Sequence, residues 1–379
     1  MKKKRKQYIT QLAERYRGEG AQPLCPHFGQ CGGCLFQDIP YEAQCLIKRD
    51  MVNEILQGVA AVDAVRPSAP YRYRSRMDMV TAFGKCGLRR GGSYRVVVDV
   101  ESCSIMREKS DALFRHVRSL IQEVEGYDYL RHQGYLRYVV IREATFTGQV
   151  MVNFVTAVQE NRLAPVIEAI CPEADSVSLI HSGGMADLSY GGIFETIKAG
   201  HIEESFDGIL YRITPNSFFQ SNAGIAIEMY RKIRDGARGR VLDLCAGVGS
   251  ISLFIAGSVD RVTGVEMNPE AVETARMNAE INGITNAEFV CSEARDFLRS
   301  GPGGYDTIVL DPPRTGMTRD AMERIDAMKT ERIIYMSCNP ATFRDDVASL
   351  RNYRVESLEA YDMFPQTPHV ELLGTLKPV

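Results

Sequence analysis

From Arg240 to Met336 the chain repeats one pattern: a short apolar run, a tight turn, then a helical stretch. Arg240-Val-Leu-Asp-Leu244, Arg261-Val-Thr-Gly-Val-Glu266, Ala287–Cys291, Tyr305–Leu310 and Arg332–Met336 read as buried strands. Asn268-Pro-Glu-Ala opens one intervening helix with a capping Asn and a Pro at its first position, and Asn282-Gly283 closes it. Strands alternating with helices imply a mostly parallel sheet covered on both faces, because each crossover lays a helix over the sheet. Residues 206–379 are therefore expected to form an α/β, Rossmann-like domain.

The preceding residues follow a different pattern. Ser75–Phe83, Tyr94–Val100, Tyr138–Ala144 and Val150–Val155 are β-rich, and helical segments such as Lys109–Val124 and Asn161–Ile170 separate them. That pattern predicts an antiparallel α+β domain over 67–205. Before it come a basic lead-in, 1–24, and a segment, 25–66, whose Cys25-to-Gln37 part is too irregular for a helix or strand. Tyr41–Gln57 within that segment has helical character.

Residues 1–90 hold 16 Lys and Arg against 8 Asp and Glu, although the whole chain has a net charge of -3. A basic first quarter beside an acidic remainder suggests a part that binds a polyanion. No run of 18 apolar residues exists, and Met1-Lys-Lys-Lys-Arg-Lys6 lacks an apolar signal core. A cytoplasmic protein without membrane contact is expected, and no obligate protein partner is implied.

Asp243-Leu-Cys-Ala-Gly247-Val-Gly249 lies at a strand-to-helix turn, where glycines let the backbone approach a ligand. Glu266 ends the next strand, and an acid there can accept both hydroxyl protons of a ribose. Ser252 stands where a dinucleotide fingerprint has its third glycine, which disfavours a pyrophosphate ligand and suits S-adenosylmethionine. A turn of purely structural purpose is the alternative. Glu293, after the third strand, can reach the adenine side of such a pocket. Asp311, in Leu310-Asp-Pro-Pro-Arg314, ends the fourth strand, and the two prolines hold it rigidly.

Cys338, in Ser337-Cys-Asn-Pro340, falls at the same carboxyl edge of the sheet. It is either a core thiol or a nucleophile, since a thiolate needs little activation. His369-Val-Glu371 supplies a carboxylate on a late strand. Phe218-Phe-Gln220, Asp243 to Gly249, Asp311-Pro-Pro-Arg314, Ser337-Cys-Asn-Pro340 and His369-Val-Glu371 occur in the order found in RNA 5-methyluridine (uracil-C5) methyltransferases, and the chain resembles that family over residues 211–379.

The resemblance implies methylation of carbon 5 of a uridine in rRNA or tRNA, with Cys338 as nucleophile and Glu371 as base. It assigns Gln220, Glu266, Glu293 and Asp311 to contacts with S-adenosylmethionine, and Cys245, Gly247, Gly249 and Ser250 to its pocket. Cys245 stands where many members carry an aromatic. Thiolate attack on carbon 6 makes carbon 5 electron-rich, and a base then removes the carbon-5 proton, so one Cys and one carboxylate are both needed. Two other readings are an amino-group methyltransferase, which shares Asp-Pro-Pro but needs no Cys338, and a non-catalytic iron–sulfur RNA-binding protein on the same fold.

Cys25, Cys31 and Cys34, with Cys103 downstream, offer four soft ligands, and Gly29, Gly32 and Gly33 permit tight turns. Spacing alone leaves zinc and a 4Fe–4S cluster open. The resemblance favours 4Fe–4S and an iron–sulfur branch without the N-terminal β-barrel common in the family. Tyr71-Arg-Tyr-Arg-Ser-Arg76 and Arg89-Arg90 interleave cations and aromatics, a composition suited to contact with RNA.

Overall fold

A computed structural model describes residues 2–17, 20–301 and 303–379 of the chain, with side chains from Tyr8 onward. Its carboxyl-terminal part is built on an eight-stranded sheet. The order across it is Val65–Arg66, Tyr353–Tyr361, Glu371–Pro378, Arg332–Ser337, Thr307–Leu310, Arg240–Leu244, Arg261–Glu266 and Ala287–Cys291. The last five of these run parallel, as the alternating pattern predicts. Glu371–Pro378 inserts antiparallel between Arg332–Ser337 and Tyr353–Tyr361.

Helices Ala223–Gly236, Ser250–Ala256 and Pro269–Ile281 cover one face, burying Ile225, Met229, Ile233, Leu253, Ile255, Val272 and Ala275 against Val241 and Val262. Asn268 caps the third of these as expected, its side chain accepting from Glu270 N–H at 3.0 Å.

The other face is partly covered from the chain's beginning. Helix Tyr41–Ile55 packs Ala43, Ile47, Met51 and Val52 into one core with Leu242, Leu244, Ile308, Leu310 and Ile333. The residues expected as a basic lead-in contain a helix, Lys2–Glu14, whose Leu12 and Ala13 join that core. Val65–Arg66 pairs in parallel with Tyr353–Tyr361 and so extends the sheet. The apolar spacing of these segments is local, but their partners lie some 200 residues away or more, beyond the reach of pattern reading.

Lys48 and Asp362 pin this layer down. Both side chains are fully buried and ion-paired, and Lys48 also donates to Phe364 O at 3.1 Å while Tyr41 Oη donates to Asp362 at 3.0 Å.

The middle of the chain forms a seven-stranded sheet ordered Val97–Asp99, Lys85–Arg89, Arg76–Ala82, Leu136–Glu143, Val150–Thr156, Ser176–His181 and Gly192–Lys198. All its pairings are antiparallel except Val150–Thr156 with Ser176–His181, which helix Ala164–Ile170 connects. That helix and Glu108–Leu120 bury one face of the sheet, as an α+β arrangement requires.

Candidate active site

The turn after Arg240–Leu244 holds three residues in the left-handed region: Cys245 at φ 68°, Gly247 at 56° and Gly249 at 77°. The two glycines serve different ends. A Cβ on Gly249 would stand 2.8 Å from the Phe289 ring, so that glycine lets helix and sheet pack. A Cβ on Gly247 would meet nothing within 4 Å; this glycine borders open space. Its N–H donates to Glu266 Oε2 at 3.0 Å, and Asn268 N–H donates to Oε1 at 2.8 Å, which fixes the Glu266 carboxylate beside the turn. Ser250 opens the next helix and accepts from Tyr230 Oη at 3.1 Å.

Beneath the turn lies an acidic cluster. Asp243 is fully buried and accepts from Ser252 Oγ at 2.5 Å, while its Oδ1 has no partner. Burial pushes the Asp243 carboxyl up to about 7. Asp311, at the end of the neighbouring strand, is pushed up to about 8 by burial and then by Asp243. Cys245 rises to about 12 through burial and the charges of Glu266, Asp311 and Asp243. Asp243, Cys245, Glu266 and Asp311 therefore form one electrostatic unit short of positive charge. A ligand with a sulfonium, an ammonium and two ribose hydroxyls supplies what it lacks, and the orphaned Asp243 Oδ1 offers an acceptor; these residues fit S-adenosylmethionine. Gln220 is buried just before helix Ala223–Gly236. Glu293 stands just before helix Ala294–Arg299, where its exposed carboxylate accepts from Arg295 at 3.2 Å.

Cys338 and Glu371 meet at the same sheet edge. Ser337 pairs with Leu372 in antiparallel register, so the next step of that ladder sets Cys338 opposite Glu371. Because Glu371–Pro378 runs against its neighbours, its first residue lies where the parallel strands end. Burial raises the Cys338 thiol to about 11, with Glu371 and Asp311 adding and Arg314 opposing. Burial, then Asp311, also raises Glu371 well above the usual carboxylate range, and Arg314 again opposes. Arg314 is thus the cation facing both groups. Asn339 caps helix Pro340–Val347 and donates to Arg314 O at 3.0 Å, tying the two motif turns together.

The sequence profile of the tRNA (uracil-5-)-methyltransferase family matches residues 201–377. A tRNA (uracil(54)-C(5))-methyltransferase of Pyrococcus furiosus is 35% identical over 383 residues, covering 99% of this chain and 91% of that one. The crystal structure of the Pyrococcus abyssi tRNA (uracil-54, C5)-methyltransferase in complex with S-adenosyl-L-homocysteine superposes with a TM-score of 0.82 at 35% identity, over 93% of this chain and 86% of that one. The chain belongs to the tRNA (uracil-5-)-methyltransferase family. An uncharacterized RNA methyltransferase of Thermotoga maritima, 34% identical over 371 residues and covering 94% and 84% of the two chains, is a further relative.

This family member carries its four amino-terminal cysteines around one cavity of about 140 Å³, shared with His27, Gln37 and Arg74. Burial raises Cys34 to about 11 and Cys103 to about 12, and the neighbouring thiols push both further in the same direction. The expected metal centre is not itself shown: among the described residues no group of three or more His, Cys, Asp or Glu side chains stands at ligating geometry. The convergence of four thiols on one cavity is nonetheless a donor set that fits a thiolate-bound cluster.

Several side chains of the Tyr71–Arg76 run are engaged within the protein. Tyr73 is buried and donates to Pro365 O at 3.0 Å. Arg72 donates to Cys103 O at 3.3 Å and Met106 O at 3.1 Å, stapling the loop of the fourth cysteine, and Arg76 pairs with Asp78 at 2.8 Å. Interleaved cations and aromatics can bond within the protein as well as to RNA, and Arg72, Tyr73 and Arg76 do so, although Arg72 itself is exposed. Arg89 is likewise paired to Asp187 at 2.5 Å and lies over the Tyr129 ring at 4.2 Å. Tyr230 was not picked out from sequence; Ser252 was read there only as the residue in place of a third glycine, and Arg314 only as the end of the Asp-Pro-Pro-Arg motif.

Proposed function

We propose that this chain transfers a methyl group from S-adenosylmethionine to carbon 5 of a uridine in tRNA, through a covalent bond between Cys338 and carbon 6. The observation that carries this reading is the pairing of Cys338 with Glu371 beside the Asp243–Asp311 cluster. The names of the relatives support tRNA, and uridine 54 within it, over rRNA.

S-adenosylmethionine supplies an electrophilic methyl when bound. On this reading Glu266 would accept from the ribose hydroxyls, and Asp311 and Asp243 would face the positive charge. Cys338 attacks carbon 6 as the thiolate, forming the C–S bond and moving electron density onto carbon 5. Carbon 5 then takes the methyl group. The Glu371 carboxylate accepts the proton left on carbon 5, the C–S bond breaks, and the ring double bond returns. Arg314 favours the ionised form of both groups at the steps where each must be charged. Burial and Asp311 raise Glu371 above the usual carboxylate range, and cationic charge brought beside it would favour the base form.

Cys25, Cys31, Cys34 and Cys103 would hold a 4Fe–4S cluster on this reading, with Gln37 and Arg74 at its margin. Mapping 5-methyluridine in tRNA from cells with and without the gene tests the function. The modification at position 54 should vanish with the gene, and its persistence would refute the assignment.

A further inference from the structure

The turn joining the last two strands, Asp362 to His369, delivers Glu371 to the catalytic edge, and its anchors lie elsewhere in the chain. Every polar group of Gln366 is engaged. Its N–H donates to Gln44 Oε1 at 3.0 Å and its Oε1 accepts from Gln44 Nε2 at 2.9 Å, a reciprocal amide pair. Its carbonyl accepts from Leu35 N–H at 2.8 Å and Phe36 N–H at 3.1 Å, directly after Cys34. Its Nε2 donates to Pro70 O at 3.2 Å. Gln366 is 2% exposed and sits at φ 66°, a conformation a non-glycine residue keeps only when its surroundings enforce it. Gln44, 1% exposed, also donates to Phe36 O and Ile39 O, each at 2.9 Å. The turn is stiffened internally by Thr367 Oγ1, which donates to Phe364 O at 2.7 Å and accepts from His369 N–H at 3.2 Å.

By contrast, no hydrogen bond to the Glu371 carboxylate is found among the described residues. Its location is therefore set by the backbone that enters the strand. We propose that Gln366, clamped by Gln44 and by the backbone following Cys34, is a positioning residue that aims Glu371 at the carbon-5 proton. The cysteine segment and the base are thereby one mechanical unit. The proposal rests on the reading of Glu371 as base.

That role singles out one step. Thiolate attack and methyl transfer need Cys338 and the acidic cluster, whereas only elimination of the methylated adduct needs Glu371. The test uses Gln44→Leu and Gln366→Gly in the full chain. The glycine keeps the left-handed backbone and loses only the side-chain bonds, so it separates aim from folding. Single-turnover reactions with tRNA transcript would follow formation of S-adenosylhomocysteine and decay of the protein–RNA adduct on denaturing gels. Both variants should form S-adenosylhomocysteine within about twofold of the wild-type rate, while adduct decay slows by ~10–100-fold, the scale of a misplacement near 1 Å. Gln366→Asn, which keeps a side-chain amide, should decay faster than Gln366→Gly. Adduct decay at the wild-type rate in both variants, or an equal fall in both steps, would overturn the proposal. If the wild type forms no adduct at all, the mechanism itself fails instead.

Discussion

Cys338 leaves one strand where Glu371 enters its antiparallel neighbour, one ladder step beyond the Ser337–Leu372 pair. A nucleophile and a base from motifs over 30 residues apart are thereby set side by side, and burial raises both groups above their ordinary ranges while Arg314 opposes. Ionisation of either group is thus tied to positive charge arriving nearby.

Glu371→Gln preserves shape and removes the base. Methyl transfer should continue, but release of methylated RNA should slow by about 10²–10⁴-fold, the usual contribution of a positioned base. Gel-stable adduct that accumulates in one turnover checks this; unimpeded turnover would exclude Glu371 from proton removal.

Binding of the methyl donor should depend on pH. Asp311 and Asp243, held near 8 and 7, are protonated below those values and must ionise to accept a cation. Affinity for S-adenosylmethionine should rise between pH 6 and 8, by up to about tenfold per unit for each proton released, and flatten above. S-adenosylhomocysteine, lacking the sulfonium charge, should show a shallower slope by calorimetry. Asp311→Asn should flatten the profile for the sulfonium ligand.

The buried ion pair of Lys48 and Asp362 joins the helix Tyr41–Ile55 to the loop before Glu371. Lys48→Met strands the Asp362 charge and should destabilise the fold by about 3–5 kcal/mol. Lys48→Met combined with Asp362→Leu should recover much of that loss. Chemical denaturation of the two variants measures the difference.

Protein purified without oxygen should carry about four iron and four sulfide per chain and absorb visible light, with both lost in Cys34→Ser. Stoichiometric zinc in place of iron would assign the cavity to the other thiolate-bound metal.

Much of the catalytic half was legible because buried parallel strands are short apolar runs and each motif sits at a strand's end. The position of Glu371–Pro378 was not, since nothing local to His369-Val-Glu371 states that its strand inserts against the grain beside Arg332–Ser337. Val65–Arg66 is too short for any periodic signal, yet it extends the sheet. Tyr41–Ile55 showed its helix but not its partner. The partners of Arg72 and Arg76 were not legible, since charge on an alternating strand does not show that Asp111, Asp78 and loop carbonyls stand within reach.

The decisive measurement is a denaturing gel, with peptide mapping, of protein incubated with S-adenosylmethionine and a 5-fluorouridine tRNA substrate. The fluorine cannot leave as a proton does, so wild-type protein should remain bonded to RNA through Cys338, and Cys338→Ala should form no such species. An adduct that survives in Cys338→Ala, or none from wild type on an RNA it demonstrably methylates, would contradict the account.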